Sequence, residues 1–307
     1  MYFNKKFEIL YQRLLSEKVK KKSEQAILSI AIISFLIHLI IIFVVDFGII
    51  SPDSTSDLLK NPIAAIYTPF SFILVYEVYL LIYYLPKSFT TYIGKQYEII
   101  TLIIIRRLFK DLSSLSFSPD WFKINNDLQF TYDLVASLLL FFLIYQFYLQ
   151  IRKGNTYNGK NEKQPEGIGS FIKVKKVLAT ILVPVLFFVA IYSFINWCMG
   201  LANPGLDPKL SFKNINNIFF EQFFTVLIIA DVILLLFSFF HTDEFHKVIR
   251  NSGFIISTIL IRVSFSTSGL LNTSLIVSAI IFGLLILIIY NKFEEKIRLE
   301  KKEQILQ

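Results

Sequence analysis

Four charged side chains stand inside otherwise apolar stretches: Glu77 in EVYLL, Arg106 in EIITLIIIRR, Asp231 in DVILL and Arg262 in FIISTILIRV. A charge near the centre of a hydrocarbon layer costs at least about 2.5–3.5 kcal/mol, so each of these groups has to be paired, solvated or put to use. Position along the chain suggests the partners. Glu77 lies eight residues before Leu85 and Arg106 eight residues after Glu98, which sets both roughly 12 Å from the same end of neighbouring antiparallel helices. The same count relates Asp231 to Phe239 and Arg262 to Phe254. The spacing predicts two pseudo-equivalent intramembrane ion pairs, Glu77–Arg106 and Asp231–Arg262. Such pairs either line a polar path for an ion or proton, or hold two helices together as satisfied staples.

Other polar residues offer weaker chemistry. His38 interrupts the apolar run 26–50; a core histidine bonded to a neighbouring carbonyl accounts for it, with a proton relay as the functional alternative. Arg107 and Lys110 have no counterparts in the second half of the chain, where Val263 and Phe265 or Ser266 stand. They either snorkel to the outer headgroups or form an anion-attracting vestibule. In HTDEFH, residues His241, Asp243, Glu244 and His246 do not share one helix face, so solvated loop charge is preferred to a metal site. Asp46 and Asp133 fall near the ends of apolar runs and need no buried partner. The lone Cys198 excludes an internal disulfide. No zinc-protease, nucleophile-elbow, phosphate-loop or dinucleotide motif occurs, so neither an enzyme nor a bound cofactor is expected.

The elements that would position these groups are membrane spans. Of the 307 residues 54% are hydrophobic, and the apolar positions gather into runs of about 20, the length that crosses a bilayer. The expected fold class is all-α: a polytopic helical membrane protein of about eight transmembrane helices in two parallel four-helix repeats. Residues 1–25 read as a cytoplasmic amphipathic segment, with Phe3, Phe7, Leu10 and Leu14 at helical spacing. The first repeat covers 26–151, with spans at about 26–50, 62–85, 98–107 and onward, and 130–151. A turn at 86–97 and a loop at 110–128 separate the last three, the loop bearing Trp121 and Phe122 as interfacial anchors. A basic cytoplasmic linker, 152–176, leads to the second repeat, 177–291, where a turn at 241–252 precedes the span that carries Arg262. A charged cytoplasmic tail, 292–307, closes the chain.

The repeat rests on Glu98–Arg107 against Phe254–Val263, which match at Ile99/Ile255, Ile100/Ile256, Ile103/Ile259, Ile105/Ile261 and Arg106/Arg262, and on the acid that precedes each arginine at nearly the same distance. Charge placement fixes the number of crossings. With eight spans and both termini inside, 23 of the 31 lysines and arginines lie in inner segments, as the positive-inside rule requires. Treating the arginine-bearing helices as re-entrant would turn the basic 152–176 linker outward.

These features imply a channel or transporter for a small ion or solute, with the acid–arginine pairs at its polar core. The alternative is a non-conducting scaffold or sensor subunit that engages a partner through its cytoplasmic tails. The partners implied are the lipid bilayer, anionic headgroups at the basic inner face and possible further copies of the chain. The net charge of +8 is explained by topology and does not point to nucleic acid. The expected location is the cell (inner) membrane, both termini cytoplasmic.

Overall fold

The computed structural model describes residues 2–48, 65–112, 125–157, 168–201, 208–240, 244–267 and 269–306. Among these residues the regular structure is helical, without a strand. Nine helices follow in order: α1 (Tyr2–Leu15), α2 (Glu17–Asp46), α3 (Tyr67–Tyr84), α4 (Phe89–Leu112), α5 (Asn125–Tyr157), α6 (Ile168–Leu201), α7 (Pro208–Phe239), α8 (Phe245–Ser264) and α9 (Gly269–Leu306). The outer loop 51–61, Trp121, Phe122, His241, Asp243 and the Lys110 side chain lie outside the described residues.

Among the described residues five helices are long and apolar enough to cross a membrane, in the stretches Lys6–Asp46, Asp127–Gly154, Gly169–Tyr192, Gln222–Phe239 and Gly269–Glu300; Thr68–Tyr84 is a shorter apolar helix. The arginine-bearing α4 and α8 are not among them, because Lys95, Glu98, Arg106 and Arg107 interrupt the one and Lys247, Arg250 and Arg262 the other. The spanning helices turn large apolar side chains outward: Leu138 and Phe141 of α5 are each 70% exposed and Phe188 of α6 is 69% exposed. Apolar surface on this scale is unfavourable in water and is what a helix presents to lipid. The chain is therefore an integral membrane protein of helical class.

Several helices begin or end away from the positions that composition suggests. The polar stretch 86–97 is not a turn. After Leu85 and Pro86 the chain needs only two residues before α4 starts, because the Ser88 hydroxyl accepts the Thr91 amide at 3.2 Å and caps the helix. In the same way α2 starts at Glu17 behind the cap residue Ser16 and runs unbroken into its apolar part. Helix α8 starts at Phe245, inside the stretch expected to be a turn at 241–252, and the charged tail continues α9 to Leu306. The 152–176 linker is partly helical too, since α5 extends to Tyr157 and α6 starts at Ile168.

The chain divides into two compact units. Unit 1 comprises 1–83, 105–130 and 176–227; unit 2 comprises 84–104, 131–175 and 228–307. In unit 1, Tyr76, Tyr79 and Tyr83 recur on one face of α3 and reach the N-terminal helices. Tyr79 donates to the Leu14 carbonyl at 3.0 Å, Tyr83 donates to Glu17, and Tyr76 donates to Glu24 at 3.2 Å. Lys176 adds an ion pair to Glu8 at 2.8 Å and stands over the Tyr11 ring. In unit 2 the core is aromatic. Tyr97 meets Phe147 edge-on at 5.1 Å, and Phe147 meets Phe254 at 5.9 Å. The Tyr97 hydroxyl is shared with Ser257 at 2.7 Å, directly above Gly283, where a Cβ would collide with it. Glycine is thus what lets α4 approach α9.

Candidate functional site

Unit 2 holds the more elaborate of the two charged sites. Asp231 of α7 is 0% exposed, Arg262 of α8 is 5% exposed and Gln96 of α4 is 3% exposed. Arg262 Nη2 lies 2.7 Å from Asp231 Oδ2 and also donates to Gln96 Oε1 at 3.1 Å. The Tyr92 hydroxyl donates to the other carboxylate oxygen, Asp231 Oδ1, at 2.8 Å. Tyr92 and Gln96 stand four residues apart and so face the site together from one side of α4. Three helices therefore supply one cluster.

Its hydrogen bonding is incomplete. Among the described residues, Gln96 Nε2 and Arg262 Nη1 are buried donors with no hydrogen-bond partner, and Asp231 Oδ2 is a buried acceptor with none. The arginine and aspartate are close enough to form an ion pair, but the N–H is not aimed along Oδ2, so the contact is one of charge rather than a hydrogen bond. A buried polar group without a partner costs about 1–3 kcal/mol. Three together make an unusual staple.

Unit 1 holds the other pair. Arg106 Nη2 contacts Glu77 Oε2, and Nη1 donates to the Phe70 carbonyl at 3.3 Å. Phe70 and Phe109 stack beside it at 5.2 Å. The guanidinium thus fastens α4 to α3 at both a side chain and the backbone. Both acid–arginine pairs are in contact.

The remaining sequence candidates fall as follows. His38 Nδ1 is 2.5 Å from the Thr68 hydroxyl of α3. Arg107 is half-buried in α4. His246 contacts Glu294 at 3.0 Å and Glu244 at 3.3 Å and stacks on Tyr290 at 5.8 Å. Asp133 departs from expectation. It is fully buried and accepts from Thr273 at 2.8 Å, because α5 starts at Asn125 and carries position 133 into the packed part of unit 2.

Composition hid three further residues. Tyr92 and Gln96 lie in the stretch that reads as a polar turn, and Lys175 lies in the stretch that reads as linker. Lys175 is buried, donates to the Lys87 carbonyl at 2.9 Å, and sits 4.2 Å from the Phe89 ring and 4.8 Å from the Phe171 ring. The signal for the helix was present as the Ser88 cap followed by Phe89, Ile93, Tyr97 and Ile100 at helical spacing. At the mouth of α8, Arg250 lies over the Tyr290 ring at 4.3 Å and donates to Asn251 at 3.0 Å.

Comparison with known proteins returned no family model, no curated protein and no solved structure that matches the chain.

Proposed function

We propose that this membrane protein passes a small ion or solute across the bilayer, as a channel or transporter, with Glu77, Arg106, Asp231 and Arg262 in its polar core. The observation that carries the reading is the Asp231–Arg262–Gln96–Tyr92 cluster. A purely structural staple settles with its hydrogen bonds made, whereas this one holds three unmatched polar atoms in the interior. In this reading the chain crosses the membrane eight times in two parallel repeats, both termini on the cytoplasmic side of the cell membrane. The 18 residues of α3, 24 of α4 and 20 of α8 are long enough for the three additional crossings. The protein is not an enzyme in this account, and the basic inner segments meet anionic headgroups.

The test is flux through the purified protein in liposomes. The pair Asp231→Asn with Arg262→Gln, and separately the pair Glu77→Gln with Arg106→Gln, are expected to keep expression and detergent-stable folding while lowering flux at least about tenfold, a change worth about 1.4 kcal/mol. Absence of conductance or uptake for every common inorganic ion and small solute sinks the reading. It would favour the alternative, a scaffold or sensor subunit. One observation supports that alternative: α9 continues without a break from its apolar part into a charged segment that leaves Phe293 and Leu299 exposed.

A further inference from the structure

The three unmatched atoms in unit 2 are complementary to a particular kind of guest. Arg262 Nη1 and Gln96 Nε2 are N–H donors, and each shares its carbon, Cζ or Cδ, with an atom of the Arg262 Nη2–Gln96 Oε1 contact, so both lie beside that contact. Asp231 Oδ2 is an acceptor 2.7 Å from Arg262 Nη2. Two donors suit an anion, and the acceptor suits a proton. Charge gives the same answer. The cluster as it stands is neutral, one carboxylate against one guanidinium, and a net charge in a buried site is heavily penalised. An anion that enters alone leaves the site negative. An anion that enters with one proton leaves it neutral.

We infer that Gln96, Asp231 and Arg262, supported by Tyr92, form a binding site for a small monovalent anion taken up together with one proton. The proton comes from solution and forms an O–H bond at Asp231 Oδ2. Arg262 exchanges its ion pair with Asp231 for one with the anion, and Gln96 Nε2 donates the second hydrogen bond to it. Tyr92 keeps Asp231 oriented by donating to Oδ1 throughout. The titratable and charged groups that act on Asp231 are Arg262 from α8, Tyr92 from α4 and, at longer range, Lys175 from α6. The inference deepens the transport reading by naming the cargo class, and its binding step can be measured apart from transport.

The experiment is isothermal titration of the full-length protein in detergent with sodium nitrate, sodium gluconate serving as the control salt. Repeating it in buffers of different ionisation heat counts the protons taken up. The expected result is saturable nitrate binding with about one proton per anion near neutral pH. Gln96→Met keeps the ion pair but removes a donor, and is expected to weaken nitrate binding roughly tenfold. Asp231→Asn supplies a permanently neutral side chain, so nitrate binding there proceeds without proton uptake. No nitrate binding to the unaltered protein overturns the inference and leaves a water molecule as the partner of the three atoms. Binding without proton uptake overturns it as well, as does binding unchanged in Gln96→Met or proton uptake that persists in Asp231→Asn. Should the asparagine variant fail to fold, the Gln96→Met titration still decides. Solute flux in liposomes together with no nitrate binding removes this site and keeps the transport reading. Nitrate binding with no flux of any solute does the reverse.

Discussion

The Tyr92 hydroxyl donates to Asp231 Oδ1 at 2.8 Å, joining α4 to α7 inside unit 2 across 139 positions of sequence. Both partners are almost wholly buried, so neither can turn to water if the other is removed. Tyr92→Phe keeps the ring and deletes only the donor. Thermal unfolding of the purified protein is expected to show a loss of about 1–3 kcal/mol, the penalty for orphaning a buried acceptor. An unchanged transition would mean that Asp231 is held by Arg262 alone.

Arg262 and Asp231 should be strongly coupled. Arg262→Gln leaves a carboxylate buried without its counter-charge, and a loss of about 3–5 kcal/mol is expected. Pairing it with Asp231→Asn removes both charges and should return most of that loss. A double-mutant cycle on denaturation midpoints reads the coupling; additive single effects would show that the two charges do not sense each other.

Gly283 governs how closely α9 meets the Tyr97 hydroxyl. Gly283→Ala places a methyl group against that oxygen, and overpacking of this kind costs about 1–3 kcal/mol. The added Tyr97→Phe change removes the oxygen and should recover part of the loss, although it also ends the bond to Ser257. If Gly283→Ala melts at the same temperature as the parent, the close approach is not what positions α9.

Within unit 1 the N-terminal helices are fastened to α3 by tyrosines. Tyr79→Phe with Tyr83→Phe removes the bonds to the Leu14 carbonyl and to Glu17, each worth about 0.5–1.5 kcal/mol. Amide hydrogen exchange in residues 2–15 should accelerate while exchange in α8 stays as it was. Equal exchange in parent and variant would assign the anchoring to Lys176, Glu8 and Tyr11 instead.

Much of this organisation could be read from residue order, and the exceptions share one cause. The apolar runs disclose a membrane protein because a bilayer imposes one crude demand on composition over about 20 residues. A count of helical rise sets Glu77 level with Arg106 and Asp231 level with Arg262, and the structure has each arginine on its acid. The stretch 86–97 misleads because Tyr92, Gln96 and Lys95 dilute its hydropathy, although the Ser88 cap and the spacing of Phe89, Ile93 and Tyr97 belong to a helix. Lys175 misleads in the same way, since a lysine reads as solvated until Phe89, Phe171 and the Lys87 carbonyl are seen around it. Asp133 looks terminal because the start of α5 was set by apolar content. Polar residues that serve an interior site erase the signal by which an interior is recognised. Partners such as Tyr92 and Asp231 are set by folding, and no local pattern joins them.

Helix α9 has a mechanical consequence. Its 38 residues span about 57 Å at 1.5 Å per residue, nearly twice a hydrocarbon layer of about 30 Å. The excess is a stiff lever arm rather than a leash, since the hydrogen-bonded backbone runs on past Tyr290 to Leu306. A push or twist on the charged end is delivered along the rod to Thr273, whose hydroxyl holds Asp133 at its other extremity. A tether of the same length in coil form would absorb that motion within its own slack.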